Sequence, residues 1–167
     1  MADHEAILEL SEALVAELAT SGKMVATAES CTGGWIAKAI TDVAGSSEIF
    51  AYGIVSYSNG AKESLLGVQL ATLEENGAVS AAVVEEMAKG ALSLSGSDIS
   101  VAVSGVAGPD GGSKEKPVGT VWFAWAVRDG STVKTDTQCQ HFTGDRDLVR
   151  ELTVVHALQG VRERIQQ

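Results

Sequence analysis

The sequence predicts an α/β fold, a three-layer α/β/α sandwich built around a mixed β-sheet. Three observations predict it. Strand-like segments alternate with amphipathic helical segments early in the chain, two long strand-like segments follow one another later, and a helical segment comes last. Alternating strands and helices are typical of parallel sheets, whereas consecutive strands joined by a tight turn form antiparallel hairpins. The 167 residues fit one domain, which we place at residues 1–167.

The elements of the first half follow from the spacing of apolar residues and from turn signals. Ile7, Leu10, Leu14 and Leu18 recur at helical spacing. A run of hydroxyl and glycine residues separates the first strand from the second helix. In chain order we expect a helix at residues 5–19 ended by Gly22, a strand at 24–28, a helix opened by the turn 30–34, a strand at 50–57 and a short helix at 61–66.

The second half begins with Ser80, which we interpret as the N-cap of a helix carrying Val83, Val84, Met87, Ala91 and Leu94. Strands are expected at residues 99–103, 118–127 and 132–142, and the turn signal Asp129-Gly130 predicts that the last two form a hairpin. The final helix starts near Gly144, and its apolar stripe is predicted to contain Leu148, Leu152, Val155, Leu158 and Ile165.

Charge and composition exclude several classes of function. Twelve Lys and Arg residues against 22 Asp and Glu give a net charge of −10, which repels phosphate backbones and anionic membranes. We find no basic patch that would offset this charge and no apolar run of the length of a membrane span. The N-terminus lacks the basic start of a secretory signal, so we expect a cytoplasmic protein that binds neither nucleic acid nor membranes.

The cysteines and histidines do not form a recognisable metal site. Cys31 and Cys139 lie far apart in the sequence and form no CxxC motif, so free thiols are expected. His4, His141 and His156 have no ligand spacing relative to Cys, Asp or Glu. We therefore expect no metal and no cofactor, with Cys139 and His156 as packing residues.

Ser30 is the first candidate for chemistry, because it lies between a strand end and a helix start. Unpaired backbone N–H groups at a helix N-terminus can bind a phosphate or stabilise an oxyanion, and Gly33 and Gly34 allow close approach of a ligand. The alternative interpretation is that Ser30 or Thr32 only caps the helix. Cys31 is a rival nucleophile, because a thiolate at a helix N-terminus has a lowered pKa.

Lys62 is the candidate base, since a serine nucleophile needs one and no histidine lies at a suitable strand end. Burial can lower the pKa of a lysine toward neutrality, although an isolated lysine here would more commonly be a solvated helix residue. Residues 104–112 form a glycine-rich loop after a strand and are typical of ligand contact. Arg146 opens the last helix and could bind a carboxylate or phosphate, or pair with Asp145 or Asp147.

Taken together, these motifs resemble the C-terminal domain of the CinA family. The resemblance covers nearly the whole chain and lies in the segments 27–34, 45–47, 55–59 with Lys62, 77–80, 104–112, 116–121 and 144–146. It implies hydrolysis of the carboxamide of nicotinamide mononucleotide, giving nicotinate mononucleotide and ammonia. Larger members carry an additional N-terminal nucleotide pyrophosphatase-like domain, which has no counterpart in these 167 residues, so we do not expect that activity.

The resemblance also implies roles for individual residues. Ser30 and Lys62 match the serine and lysine that the family is thought to use without a metal. The substrate-binding residues are expected to be Glu29, Cys31, Thr32, Gly33, Tyr57, Asn59, Ser104, Gly105, Gly108 and Arg146. The expected partners are a small-molecule substrate, nicotinamide mononucleotide, and further copies of the chain in a homo-oligomer, dimer or higher. The competing interpretation is a nucleotide-binding or regulatory module that uses the same glycine loops without catalysis.

Overall fold

The computed structural model describes residues 4–165, which form six α-helices, one short 3-10 helix and five β-strands. In chain order they are α1 (His4–Ser21), β1 (Val25–Glu29), α2 (Trp35–Thr41), the 3-10 helix (Ser46–Glu48), β2 (Phe50–Val55), α3 (Asn59–Leu66), α4 (Leu70–Asn76), α5 (Ala81–Ser95), β3 (Ile99–Gly105), β4 (Thr120–Asp129), β5 (Thr132–His141) and α6 (Arg146–Arg164).

The strands form one mixed sheet in the order β2-β1-β3-β4-β5. Strands β2, β1 and β3 are parallel, and β1 pairs with β3 so that Glu29 lies opposite Val103. Strands β3, β4 and β5 are antiparallel, and the turn between β4 and β5 contains Gly130 with a positive φ of 61°. The parallel half therefore places the carboxyl ends of three strands at one edge of the sheet.

The two faces of the sheet bury different kinds of side chain, because successive residues of a strand point to opposite faces. One face carries bulky residues such as Val101, Phe123 and Trp125, which pack with α1, α2 and α6. The other carries small residues such as Ala102 and Ala124, against which α5 packs with α3 and α4 on its outer side. Small side chains on this face let α5 lie close to the sheet.

This arrangement confirms the predicted three-layer α/β/α sandwich with a mixed sheet. The hairpin and the N-cap at Ser80, whose Oγ accepts from the Val83 amide, are also as predicted. Helix α4 was not predicted from the sequence. Within residues 4–165, no helix combines the length and the apolar character that crossing a membrane requires.

The predicted apolar stripe of α6 is only partly right. Of its five residues, Leu158 and Ile165 are buried and Val155 packs half-buried against the core, whereas the buried face also includes Thr153 and Gly160. Thr153 satisfies its hydroxyl within the helix by donating to the Val149 carbonyl at 2.7 Å. Gly160 lets the ring of Trp125 lie directly against the helix backbone, so counting large apolar residues alone gave an incomplete buried face.

Gly160 provides a test of this packing. Alanine has a helix propensity about 1 kcal/mol better than glycine, so an exposed Gly→Ala change in a helix stabilises. A Cβ at position 160, however, would lie 2.2 Å from Cζ2 of the buried Trp125. We therefore expect Gly160→Ala to lower the free energy of unfolding by about 1–3 kcal/mol in urea denaturation. The exposed neighbour Gln159→Ala should change it by less than about 0.5 kcal/mol, and stabilisation by Gly160→Ala would contradict the described contact.

Candidate active site

The site forms where the three parallel strands end. In open α/β sheets, ligands bind in the crevice outside the carboxyl ends of the strands. Ser30 directly follows β1, and its amide donates to the carbonyl of Val103 in β3 at 3.1 Å. On the other side, the amide of Ser56, just after β2, donates to the Glu29 carbonyl at 2.8 Å. These two hydrogen bonds continue the sheet by one residue and fix Ser30 between its neighbours.

Lys62 reaches the same place from α3. That helix begins after a link of three residues that follows β2, and the hydroxyl of Ser58 caps its first turn by accepting a hydrogen bond from the Ala61 amide. Lys62 lies in this first turn and only 1% of its surface is exposed, which is exceptional for a lysine. Its side chain extends under the segment that links β2 to α3, toward the end of β1.

The amine of Lys62 lies within hydrogen-bond distance of three oxygens, one of which belongs to the candidate nucleophile. Lys62 Nζ lies 2.9 Å from the Oγ of Ser30, 2.9 Å from the Ser56 carbonyl oxygen and 3.1 Å from the Tyr57 carbonyl oxygen. A neutral amine can donate to the two carbonyls and still present its lone pair to the serine hydroxyl. This geometry places a proton acceptor at hydrogen-bond distance from a hydroxyl, as nucleophilic catalysis requires.

The surroundings shift the ionisation of Lys62 toward the neutral amine. Burial lowers the pKa of Lys62 from its ordinary value of 10.5, because desolvation penalises the ammonium form. The thiol of Cys31 would oppose this lowering of the Lys62 pKa only when ionised. Since burial raises the pKa of Cys31 to about 11, that thiol is neutral at physiological pH and offers the lysine no countercharge.

Glu29 does not lie at the expected place. Its carboxylate is fully buried beneath the turn and accepts from the Thr32 hydroxyl at 2.6 Å, the Ile36 amide at 2.8 Å and the Ala37 amide at 3.0 Å. Burial raises the pKa of this carboxyl, and the hydrogen bonds from Thr32 and from the backbone of α2 act in the opposite direction. Glu29 therefore ties the start of α2 to the end of β1 and does not line the cavity described below.

The turn at residues 31–34 is also held from the side of α6. Arg150 donates to the carbonyls of Cys31 and Thr32 at 3.1 and 3.2 Å, and its guanidinium lies 5.6 Å from the ring centre of Trp35. In a trans peptide the C=O and the N–H point in opposite directions. The bonds from Arg150 therefore fix the direction of the amides of Thr32 and Gly33. Among the described residues, no backbone carbonyl accepts from the amide of Cys31 or Thr32.

Cys31 does not have the properties of a nucleophile. The sequence suggested a lowered pKa at a helix N-terminus, but α2 begins only at Trp35, and the amides of its second and third residues donate to Glu29. Burial instead raises the pKa of the Cys31 thiol to about 11, so little thiolate exists at neutral pH. The structure thus contradicts this part of the argument for a cysteine-dependent hydrolase.

A cavity of about 320 Å³ opens above Ser30 and Lys62, which is within the range of small-molecule sites. The loop 104–112 forms one wall of it and the segment before α5 another. Its described lining residues are Ser30, Cys31, Tyr57, Asn59, Lys62, Ala78, Val79, Ser104, Gly105, Val106, Ala107, Gly108, Asp110, Gly111, Gly112 and Arg146.

Arg146 and Tyr57 lie at this cavity and contact each other. The guanidinium of Arg146 donates to the Gly108 carbonyl at 2.7 Å and to the Tyr57 hydroxyl at 3.2 Å. The neighbouring Asp145 caps α6 through the Leu148 amide, so the predicted alternative of a surface pair with Arg146 is not what the structure shows. The Tyr57 carbonyl accepts from Lys62, and Tyr57 thus connects the Ser30–Lys62 pair to Arg146.

The structure brings most of the predicted site residues together. Nine of the twelve line the cavity; of the other three, Glu29 lies beneath the turn, and Thr32 and Gly33 belong to the turn itself but face away from the cavity, next to Arg150. The sequence reasoning missed Ser56, whose carbonyl accepts from Lys62, and Arg150. Arg150 could have been noticed because it follows Arg146 by one helical turn; nothing in the sequence marks the carbonyl of Ser56.

His156, also considered in the sequence analysis, lies outside this site. His156 packs against the rings of Phe123 and Trp125, and burial lowers its pKa, as the prediction of a packing residue required. Both cysteines are free thiols. Within residues 4–165, no group of three or more His, Cys, Asp or Glu side chains is arranged to hold a metal ion.

With this geometry in place, comparison with known proteins identifies the family. The model of the CinA C-terminal domain matches residues 7–165. The chain belongs to this family. The crystal structure of a CinA superfamily protein from Klebsiella pneumoniae superimposes on the chain with a TM-score of 0.90 and 41% sequence identity, covering 96% of this chain and 98% of that one.

Relatives of known name match over nearly their full length. The nicotinamide-nucleotide amidohydrolase PncC of Escherichia coli strain K12 is 54% identical over 159 residues, which is 95% of this chain and 94% of that protein. The protein of the same name from Enterobacter agglomerans is 58% identical over 151 residues, covering 90% of each chain.

Proposed function

We propose that the chain hydrolyses the carboxamide of nicotinamide mononucleotide to nicotinate mononucleotide and ammonia, with Ser30 as nucleophile and Lys62 as base. Relatives matched over nearly their full length carry the name nicotinamide-nucleotide amidohydrolase, and the chain is an enzyme of this class. The observation that carries the mechanism is the buried contact of 2.9 Å between Lys62 Nζ and Ser30 Oγ. The predicted homo-oligomer remains a prediction.

In the first half of the reaction, Ser30 Oγ attacks the carboxamide carbon while its proton passes to the neutral amine of Lys62. The negative charge on the former carbonyl oxygen is stabilised by backbone N–H groups of the turn, for which the amide of Cys31 is our candidate. The Lys62 ammonium then returns its proton to the leaving nitrogen. The C–N bond breaks, ammonia leaves, and an ester between the nicotinoyl group and Ser30 remains.

In the second half, water attacks the ester carbon and Lys62 takes a proton from that water. The tetrahedral intermediate collapses, the bond to Ser30 Oγ breaks, and the proton on Lys62 returns to the serine. Nicotinate mononucleotide is released and both residues regain their starting protonation states. One lysine serves both halves because its ammonium form, without a buried countercharge, readily gives the proton back.

The opposite end of the cavity suits the 5′-phosphate. Arg146 presents a guanidinium there, and the glycines 105, 108, 111 and 112 allow the backbone of the loop to approach a ligand closely. Gly108 must be glycine for a second reason, because its φ is +83° and a Cβ would lie 2.5 Å from Cγ1 of Val118. We assign the phosphate to Arg146 and the carboxamide to Ser30, with Asn59 and Ser104 as further polar contacts.

Ammonia release tests the activity directly. Purified protein incubated with nicotinamide mononucleotide and a chelator should release ammonia and nicotinate mononucleotide in equal amounts. Tight binding of the mononucleotide without any release would instead support the non-catalytic nucleotide-binding module.

Ser30 and Cys31 form a matched pair of neighbouring variants. Ser30→Ala removes the attacking oxygen and should lower kcat by at least about 10³-fold in the ammonia assay. Cys31→Ala should retain most of the activity, because a thiol with a pKa of about 11 contributes no nucleophile at neutral pH. The opposite pattern would transfer the nucleophile to Cys31.

The variant Lys62→Arg tests whether Lys62 acts as a base or only supplies a positive charge. Guanidinium stays protonated, so the variant should fold and bind the mononucleotide yet lose nearly all turnover. In the parent protein, the pKa of Lys62 lies below 10.5, and activity should rise with pH until it levels off below that value, as the amine deprotonates. The control Lys38→Arg, at a solvent-exposed lysine outside the cavity, should keep the parental pH profile. Near-parental turnover of Lys62→Arg would show that the base is another group.

A further inference from the structure

Two groups at the cavity have no role in the reaction derived above. The ring of Tyr57 lies at the cavity with 59% of the residue exposed, although a tyrosine normally buries most of its ring. Asp110 is the one carboxylate among the described residues that line the cavity. Within residues 4–165, no side chain or backbone group donates a hydrogen bond to it and no cation pairs with it. Both groups attract positive charge, the ring through the negative potential of its face.

The position of Tyr57 determines which part of a bound substrate its ring can contact. Its carbonyl oxygen accepts from Lys62 Nζ at 3.1 Å, and its hydroxyl accepts from Arg146 at 3.2 Å. A molecule with its carboxamide at Ser30 and its phosphate at Arg146 therefore passes along the tyrosine. The part of nicotinamide mononucleotide next to the carboxamide is the pyridinium ring, whose nitrogen carries a formal positive charge because it is bonded to the ribose.

We propose that this cavity selects substrates with a cationic ring. The Tyr57 ring and the Asp110 carboxylate are the groups that recognise the positive charge. This inference rests on the proposed amidase function and extends it to a substrate class: carboxamides on a quaternised, positively charged pyridine, in preference to uncharged aromatic carboxamides of the same shape. A protein with a net charge of −10 contributes to the same preference at longer range.

The test compares two substrates of equal shape. One is nicotinamide mononucleotide, and the other is the 5′-phosphate of 3-ribofuranosylbenzamide, in which a carbon replaces the ring nitrogen and the ring is neutral. The measured quantity is the ratio of kcat/KM for the two compounds, from ammonia release. The compounds differ in intrinsic reactivity, but this difference cancels when the ratio of a variant is divided by the ratio of the parent protein.

Tyr57→Leu should reduce the preference for the cationic substrate by about tenfold, within a range of about 3- to 30-fold for cation–π contacts. Tyr57→Phe keeps the ring and loses the hydroxyl, so it should retain the preference within about twofold even if both rates fall. Asp110→Asn should reduce the preference by about two- to fivefold. Tyr52→Leu, at a half-exposed tyrosine outside the cavity, should leave both rates unchanged.

An equal loss for both substrates in Tyr57→Leu and Asp110→Asn would overturn the proposal, because these groups would then contact only the ribose or pack against the ring. The same ratio can be measured as dissociation constants of the two compounds in a Ser30→Ala background, with and without Tyr57→Leu. Binding is independent of turnover. If the parent protein released no ammonia, the proposed function would fail, while the binding ratio would still support or contradict the charge selection.

Discussion

The buried amine of Lys62 is the constraint on which the site depends. A lysine that is almost completely removed from solvent loses hydration. Among residues 4–165, the groups that compensate for this loss are two carbonyls and one hydroxyl, and none is a carboxylate. A carboxylate partner would have stabilised the ammonium and raised the pKa of Lys62, and the lysine could not then accept a proton near neutral pH. The acceptors are neutral, so they hold the lysine in position without adding a countercharge that would raise its pKa.

The rest of the fold supplies that environment. Two of the three acceptors of Lys62 are backbone carbonyls of the segment that links β2 to α3, and the parallel pairing of β2 with β1 brings this segment beside Ser30. The turn that follows Ser30 is held from two sides. On one side, the Glu29 carboxylate accepts from two amides at the start of α2, just beyond the turn. On the other side, Arg150 of α6 donates to two carbonyls of the turn. Arg146, one turn earlier on α6, lines the cavity itself, so this helix both holds the turn after the nucleophile and contributes to the cavity wall.

The sequence predicted the layers, the strands and the candidate pair because these depend on local patterns. Hydrophobic periodicity marks strands and helices, and the motifs around Ser30 and Lys62 are contiguous. The distance between the two residues, 32 positions apart in the chain, depends on strand order and register, which local patterns do not encode. Glu29 shows the same limit. Its place in the sequence beside the nucleophile does not reveal that its side chain accepts hydrogen bonds from the amides at the start of α2. Gly160 was overlooked because tight packing against Trp125 requires the absence of a side chain.

The central claim is that Lys62 gives up its proton more readily than an ordinary lysine does. A nuclear magnetic resonance titration that follows the side-chain signal of Lys62, with the exposed Lys38 as internal reference, measures its protonation directly. The structure predicts a titration midpoint clearly below the ordinary lysine value of 10.5, because burial without a countercharge disfavours the ammonium. A midpoint at or above 10.5 would show that Lys62 stays protonated at neutral pH, and it would contradict its assignment as the base.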